Sequence, residues 1–296
     1  MHLITLRAGD AAIELAPEAG GAVTRYWLER GGVTREWLRP TPAGVARAGD
    51  PYEVAAFPLV PYSNRIRAGR FTFRDHAVVE PPNRPPERHA IHGHGWQARW
   101  TPLDVGAAEA RLEHRHAAGS WPWAYHATQR FTLTPSSLTV ELTVSNESQA
   151  PMPAGLGWHP YFPRTPRATI TAQVRAVWLT DEEMMPTDLV APAPAADLER
   201  GVTADAIALD NCFVGWSGRA TIEWPELGAR LIMRADPPLH CLVVYTPARR
   251  PFFCVEPVSH VTDAFNLAEA GRSDTGLLVL PPGGTLRTKV VLTPEL

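Results

Sequence analysis

The chain has 296 residues, a formal net charge of -3, and 45% hydrophobic against 20% charged residues, an ordinary globular balance. It carries 30 prolines, about twice the average usage. They are scattered from Pro17 to Pro294 and leave few windows for long helices, since proline lacks an N–H and clashes with the preceding turn, so an all-helical bundle is excluded. The 10 Trp, 9 Phe and 6 Tyr among many aliphatics argue against disorder.

From the N-terminus, Ile4–Arg7, Ala12–Leu15 and Val23–Leu28 read as short strands. MHLITLRAGD has no apolar run of signal-peptide length, and no stretch approaches the roughly 20 apolar residues a membrane helix needs. A cytoplasmic protein is expected. Pro40–Pro51 reads as a loop, Phe71–Phe73 as a strand, and Pro81–Arg88 as a second loop. Ala110–His114 is a further strand. The clearest signal follows: Leu138, Val140, Leu142 and Val144 alternate with Thr139, Glu141, Thr143 and Ser145, one apolar and one wetted face. Phe131 and Leu133 alternate in the same way before a Pro135-Ser136-Ser137 turn, which predicts a hairpin.

Ala168–Val174 is a strand candidate, and Pro186–Asp205, with Ala191-Pro192-Ala193-Pro194, reads as a long surface loop. Ala220–Trp224 and Ala229–Arg234 form a hairpin through Pro225-Glu226-Leu227-Gly228. Leu242–Tyr245 and Phe252–Val255 are strands. A last hairpin is expected from Gly276–Leu280 and Leu286–Leu292 across Pro281-Pro282-Gly283-Gly284. Many short strands separated by turns, without strand–helix alternation, predict an all-β chain, a large antiparallel β-sandwich in a single domain over residues 1–296.

Cys212, Cys241 and Cys254 are odd in number and widely spaced, which fits buried free thiols rather than a disulfide framework or a zinc site. Lys289 is the only lysine, and the arginines are dispersed without a basic cluster, so nucleic-acid and membrane-surface binding gain no support.

The histidines are uneven. His89, His92 and His94 fall in His89-Ala90-Ile91-His92-Gly93-His94-Gly95-Trp96, and His159 in Gly157-Trp158-His159-Pro160-Tyr161-Phe162. Glu256 is the one carboxylate inside the apolar segment Phe252–Pro257. Burial without a partner is costly for such a group and pushes its pKa toward neutrality, which suits a general base. Each has a plain reading too: His159 as a satisfied core residue, Glu256 paired with Arg249 or Arg250, and Pro61–Arg67 as an ordinary turn. His92 and His94 would chelate a metal from one face of a strand, but Gly93 and Gly95 favour a loop, and no carboxylate follows closely.

Taken in order, these segments resemble the aldose 1-epimerase (galactose mutarotase) family. Asn64-Arg65-Ile66 with Gly69-Arg70-Phe71 resembles that family's "NRI…G.F" segment. Ile91-His92-Gly93 with Gly95 and Trp100 is similar to its "LHGG…W", and His159-Pro160-Tyr161-Phe162 to its "H.YF". Leu209-Asp210-Asn211-Cys212-Phe213 resembles "LD..F", and Glu256-Pro257 with Ala264-Phe265-Asn266 resembles "E(T/P)…..N". His94 stands where the family has a second glycine, and Pro58–Ser63 replaces its "GR" lead-in, closer to an uncharacterised bacterial branch than to the galactose enzymes.

The resemblance implies a galactose-mutarotase-type sandwich with the site on an open, concave sheet. It implies Glu256 as catalytic base and His159 as catalytic acid in anomer interconversion, with Arg65, His92 and Asp210 lining the sugar site. Asn64 and Trp96 are added by proximity, and Trp96 or Phe213 as a stacking wall. No cofactor and no metal is implied, and a monomer or homodimer acting on a small-molecule sugar is expected. Two alternatives stay open. One is a hexose-6-phosphate 1-epimerase in which Arg67, Arg70 or Arg99 approaches the phosphate, although these arginines are equally readable as solvated or paired. The other is a non-catalytic carbohydrate-binding sandwich.

Overall fold

The computed structural model describes residues 2–42, 44–45, 53–192 and 197–296. Two large antiparallel sheets, one of eleven strands and one of nine, face each other across an apolar core, which makes the chain a mostly-β sandwich. In the nine-stranded sheet, Tyr125–Thr134 and Ser137–Asn146 form the predicted hairpin, with Phe131 opposite Val140 and Leu133 opposite Leu138. Its apolar face packs inward and its Thr, Glu and Arg face stays wetted, as the period-two pattern requires. Ala220–Trp224 and Ala229–Arg234 also pair as predicted. Among the described residues no helix is long and apolar enough to cross a membrane.

The eleven-stranded sheet carries the site. Its centre runs in the order Ala22–Arg30, Ala56–Leu59, Gly157–Pro163, Phe252–Val258, Cys241–Tyr245 and Asp210–Val214. Ala56–Leu59 and Gly157–Pro163 do not read as strands in the sequence. Pro58 and Pro160 remove a ladder N–H, which normally confines proline to edges, and burial on both faces abolishes alternation.

Two loop or turn expectations need correction. The Pro186–Asp205 segment is not one long loop. Pro186–Val190 pairs with Ala176–Thr180 at one sheet's edge, and Val202–Thr203 with Thr169–Ala172 at the other's. These are edge positions, where proline and irregular pairing are tolerated; residues 193–196 lie outside the described residues. The C-terminal segments are not a hairpin. Leu278–Leu280 pairs with Met152–Ala154, while Thr285–Glu295 lies between Ser137–Asn146 and Ala229–Ala235. The Pro281–Gly284 turn does close, from the Gly284 N–H to the Pro281 carbonyl at 2.8 Å, but two consecutive prolines end the ladder and the strands diverge. Pro40–Pro51 falls largely outside the described residues.

Candidate active site

The strand register places the chemistry. Gly157 lies opposite Val258 and Tyr161 opposite Cys254, so the same register puts His159 directly across from Glu256. Between those anchors, Pro160 and Pro257 have no N–H to donate. His159 is also paired with Phe57, and Glu256 with Val243. Phe57, His159, Glu256 and Val243 therefore form one row across the sheet, on the face turned away from the nine-stranded sheet. Two residues along the strands, a second row on the same face holds Tyr161, Cys254, Tyr245 and Asp210. The opposite face carries Trp158, Phe162, Phe253, Val255 and Phe213 into the inter-sheet core.

His159 Nε2 and Glu256 Oε1 are 3.2 Å apart and both side chains are buried. Burial pushes the Glu256 carboxyl well above its ordinary range, helped by nearby Asp210, while Arg65 pulls it down. Burial, with Arg84 and Arg39 contributing, lowers His159 to about 3. Both shifts run in one direction: burial favours the neutral forms, a protonated Glu256 carboxyl and an unprotonated His159 ring. The His159 ring sits between Phe57 (centroids 4.5 Å apart) and Tyr161 (4.7 Å), which fixes its plane. Arg39 lies over both Tyr161 and Phe252.

The rest of the pocket comes from loops. Asn64 and His92 both have positive φ, 56° and 64°, and they clamp each other. The Asn64 N–H donates to His92 Nδ1 (3.2 Å) and the His92 N–H to the Asn64 carbonyl (2.9 Å). With Nδ1 accepting, the neutral ring carries its proton on Nε2. Burial, with His159 and Arg65 adding, pushes His92 well below its ordinary pKa, so this ring is a neutral donor. The adjoining Gly93 (φ +69°) has no substitute, because a Cβ there would sit 2.2 Å from the Val60 carbonyl oxygen. Arg65 donates from Nε to Glu87 (3.0 Å) and lies 3.7 Å from Asp210.

This loop is held from behind by His260 and Asp263, which sequence reading missed, and by Asn266 of the Ala264-Phe265-Asn266 segment. His260 Nε2 accepts the Ser63 N–H at 3.1 Å, and its Nδ1 lies 2.8 Å from the Val261 carbonyl. Asp263 donates its N–H to the Arg65 carbonyl and accepts the Arg67 N–H on Oδ1. Asn266 donates to that same Oδ1 and to the Arg70 carbonyl. Polar residues closely following Glu256 were the available signal, but nothing in their spacing points to a distant backbone.

Of the expected site residues, His159, Glu256, Arg65, His92, Asp210 and Asn64 line one pocket. Trp96 does not: its indole N–H donates to the Ile91 and Gly93 carbonyls and its ring stacks on Phe57, behind His92. Phe213 points into the opposite core. The apolar wall is instead Tyr161, Tyr245 and Phe252, with Arg84 and Arg250 also on the lining. Phe252 belongs to the predicted Phe252–Val255 strand, whereas Tyr161 lies on a strand the sequence does not show, and the two arginines lie on turns without periodicity.

The phosphate candidates are elsewhere. Arg67 pairs with Asp181 and Asp263, Arg99 pairs with Glu18, and neither they nor Arg70 reach this pocket. His92 and His94 do not chelate together, since His94 Nε2 turns to Glu80 at 2.7 Å and its ring stacks on His116. The donor atoms close enough to share an ion, among the described residues, are those of His159, Glu256 and Cys254. Burial pushes the Cys254 thiol well above its ordinary pKa. All three cysteines are free and buried.

The fold is a mostly-β sandwich whose larger sheet carries a buried carboxyl–imidazole pair in a pocket. The family model described as aldose 1-epimerase matches residues 2–293, and the chain belongs to that family. Over its whole length it is 31% identical to the uncharacterised Escherichia coli K12 protein YphB, covering 99% of that protein. Among solved structures it resembles a putative aldose 1-epimerase from E. coli K12, with 29% identity, a TM-score of 0.90 and 99% of each chain covered. A galactose mutarotase-like protein from Clostridium acetobutylicum shares the fold at a TM-score of 0.87 and 21% identity, over 99% of this chain and 95% of that one.

Proposed function

We propose that this protein is a sugar anomerase that interconverts the α and β forms of an aldose by opening and reclosing the ring, with Glu256 as base and His159 as acid. The observation that carries this reading is the buried carboxyl–imidazole pair of Glu256 and His159, set 3.2 Å apart in register on adjacent strands. A pyranose is a hemiacetal. Ring opening moves the C1 hydroxyl proton to the Glu256 carboxylate and breaks the C1–O5 bond, whose electron pair goes to O5. O5 then takes the proton of the His159 imidazolium. Rotation about C1–C2 and reclosure, with both proton transfers reversed, give the other anomer.

The reactive tautomer is thus carboxylate and imidazolium, which contains the same single proton as the resting neutral pair. Arg65, which pulls Glu256 down, favours that tautomer, and sugar hydroxyls inserted between the partners supply the hydrogen bonds that burial denies. The His92 Nε2–H and the Arg65 guanidinium are donors for ring or hydroxyl oxygens. Asp210, half-buried beside Arg65, accepts from hydroxyls. Tyr161, Tyr245 and Phe252 cover the apolar face of the ring. A carbohydrate-binding protein without activity would need the hydroxyl contacts but no acid–base pair.

NMR exchange or polarimetry on freshly dissolved hexoses, pentoses and 6-deoxy sugars tests the reading. Acceleration of anomer equilibration of at least one aldose is expected. Binding of a sugar with no acceleration of its equilibration would favour the carbohydrate-binding protein.

A further inference from the structure

We propose that the pocket takes a second kind of ligand besides sugar: a thiophilic divalent cation of the zinc class, held by His159, Glu256 and Cys254 and inhibitory while bound. The binding stands on geometry alone; the inhibition rests on the anomerase reading. The Phe252–Val258 strand turns Cys254 and Glu256, two residues apart, to the same outer face. The neighbouring Gly157–Pro163 strand sets His159 across from Glu256. One donor atom from each residue lies within 4.8 Å of the other two, and His159 Nε2 is 3.2 Å from Glu256 Oε1. A tetrahedral zinc with bonds of about 2.0–2.3 Å holds its ligand atoms about 3.3–3.6 Å apart. The imidazole–carboxylate edge of that triangle is in place, and the thiol completes it with a shift of about 1 Å.

The donor set selects the cation. Imidazole nitrogen, thiolate sulfur and carboxylate oxygen together suit zinc and its softer relatives, whereas magnesium and calcium take oxygen. The charges close as well. The Cys254 thiol gives up its proton to solvent, and any proton on Glu256 leaves with it. A dication then meets one thiolate, one carboxylate and a neutral imidazole, a centre of zero net charge. Buried charges persist where they are paired or bind metal, and all three side chains are buried. His159 and Glu256 line the pocket and Cys254 does not, so the thiol is the inner ligand. The fourth position of a tetrahedral ion then opens on the pocket, where water or a sugar hydroxyl can sit. Cys212 and Cys241 hydrogen-bond to each other and lie outside this cluster. The spacing of the cysteines hides the set, because its imidazole comes from a neighbouring strand. A bound ion occupies the two groups that move protons during ring opening, so a loaded site does not turn over sugar.

The test titrates metal-free protein with Zn²⁺ by calorimetry and with Cd²⁺ by ultraviolet absorbance, where a cadmium–thiolate bond gives a charge-transfer band. The wild type should take up one tight equivalent of either ion, and Cd²⁺ should raise the band. Cys254→Ser should abolish the band. That variant and His159→Ala should each weaken zinc binding by about tenfold or more, whereas Cys212→Ser should change neither readout. Cys254→Ala replaces the serine variant if circular dichroism shows the latter unfolded. Zinc should also slow anomer exchange of the best aldose, followed by NMR, and a chelator should restore it. The inhibitory zinc concentration, taken against each protein's own metal-free rate, should rise about tenfold or more in Cys254→Ser. A wild type without the band, a band that survives the loss of Cys254, or equal inhibition of Cys254→Ser overturns the inference and leaves the anomerase reading intact. Faster exchange with zinc overturns it too. If no aldose is turned over, the anomerase reading fails, and the cadmium band with its loss in Cys254→Ser still decides the cation site.

Discussion

The Ser137–Asn146 strand of the nine-stranded sheet and the Phe252–Val258 strand of the eleven-stranded sheet are built on opposite terms. In the first, every second residue is buried and the others meet solvent. In the second, all but the first residue are buried, because the inter-sheet core lies on one face and Val54, Ile91, Trp96 and Val261 cover the other. On the first strand the polar side chains of Thr139, Glu141, Thr143 and Ser145 keep contact with water. A polar side chain on the second loses its water, so Glu256 and His159 are driven toward their neutral forms. Burial on both faces turns an ordinary carboxyl and imidazole into a proton-sharing pair.

The contrast can be broken from either side. The largest expected effect is on the one-face side. Phe131→Ala empties a fully buried site in the inter-sheet core and should cost about 3–5 kcal/mol in denaturant unfolding. Whatever remains folded should keep its anomer-exchange rate. A rate loss in the folded fraction would mean that the two regions are not separable.

Next comes His260. Buried and neutral, it is lowered to about 4 by burial, against about 6.5 when unfolded. A depressed group contributes stability above its unfolded pKa and loses it as pH falls toward the folded value. His260→Gln should therefore gain stability relative to the wild type by on the order of 3 kcal/mol between pH 7 and pH 4. A pH-independent difference in unfolding free energy would contradict the buried neutral ring.

Glu256 has the opposite sign. Its raised pKa means that its contribution is fully present below its unfolded pKa and is lost as pH rises toward the folded one. Glu256→Gln should thus become more stable relative to the wild type by up to about 1.4 kcal/mol per pH unit above pH 4.5. Thermal melts at pH 5, 6 and 7 read this directly; a difference that does not grow would place the carboxylate in water.

The smallest effect is expected at Trp96, which sits behind His92 rather than on the pocket lining. Trp96→Phe keeps the stack on Phe57 but loses the indole N–H bonds to Ile91 and Gly93. It should cost about 1–3 kcal/mol of stability and leave KM for the preferred sugar within about twofold, well below the tenfold carried by 1.4 kcal/mol. A larger KM change would restore Trp96 to the sugar wall.

What was readable in the sequence follows the same division. Where one face is wet, alternation shows the strand and its register: Phe131 and Leu133 against Val140 and Leu138 are visible from residue types alone. Where both faces are dry, alternation disappears. Gly157–Pro163 and Ala56–Leu59 carry prolines in central strands, against the usual rule, and were missed. The six pocket residues that were anticipated stood in motif-like segments. Tyr245, Arg84 and Arg250 depend on cross-strand neighbours and turns, and His260 and Asp263 on contacts with residues nearly 200 positions earlier. Trp96 and Phe213 were misplaced because sequence proximity does not say which face a ring takes.

The central claim is that His159 and Glu256 act together on one proton. NMR exchange of α and β anomers, measured for the wild type, Glu256→Gln, His159→Ala and the double variant on the best aldose, tests it most directly. Each single change should slow exchange by about 10²–10⁴-fold. The double variant should be little slower than the worse single one, as expected of groups that work as a unit. Full activity in either single variant, with the fold intact by circular dichroism, would contradict the account.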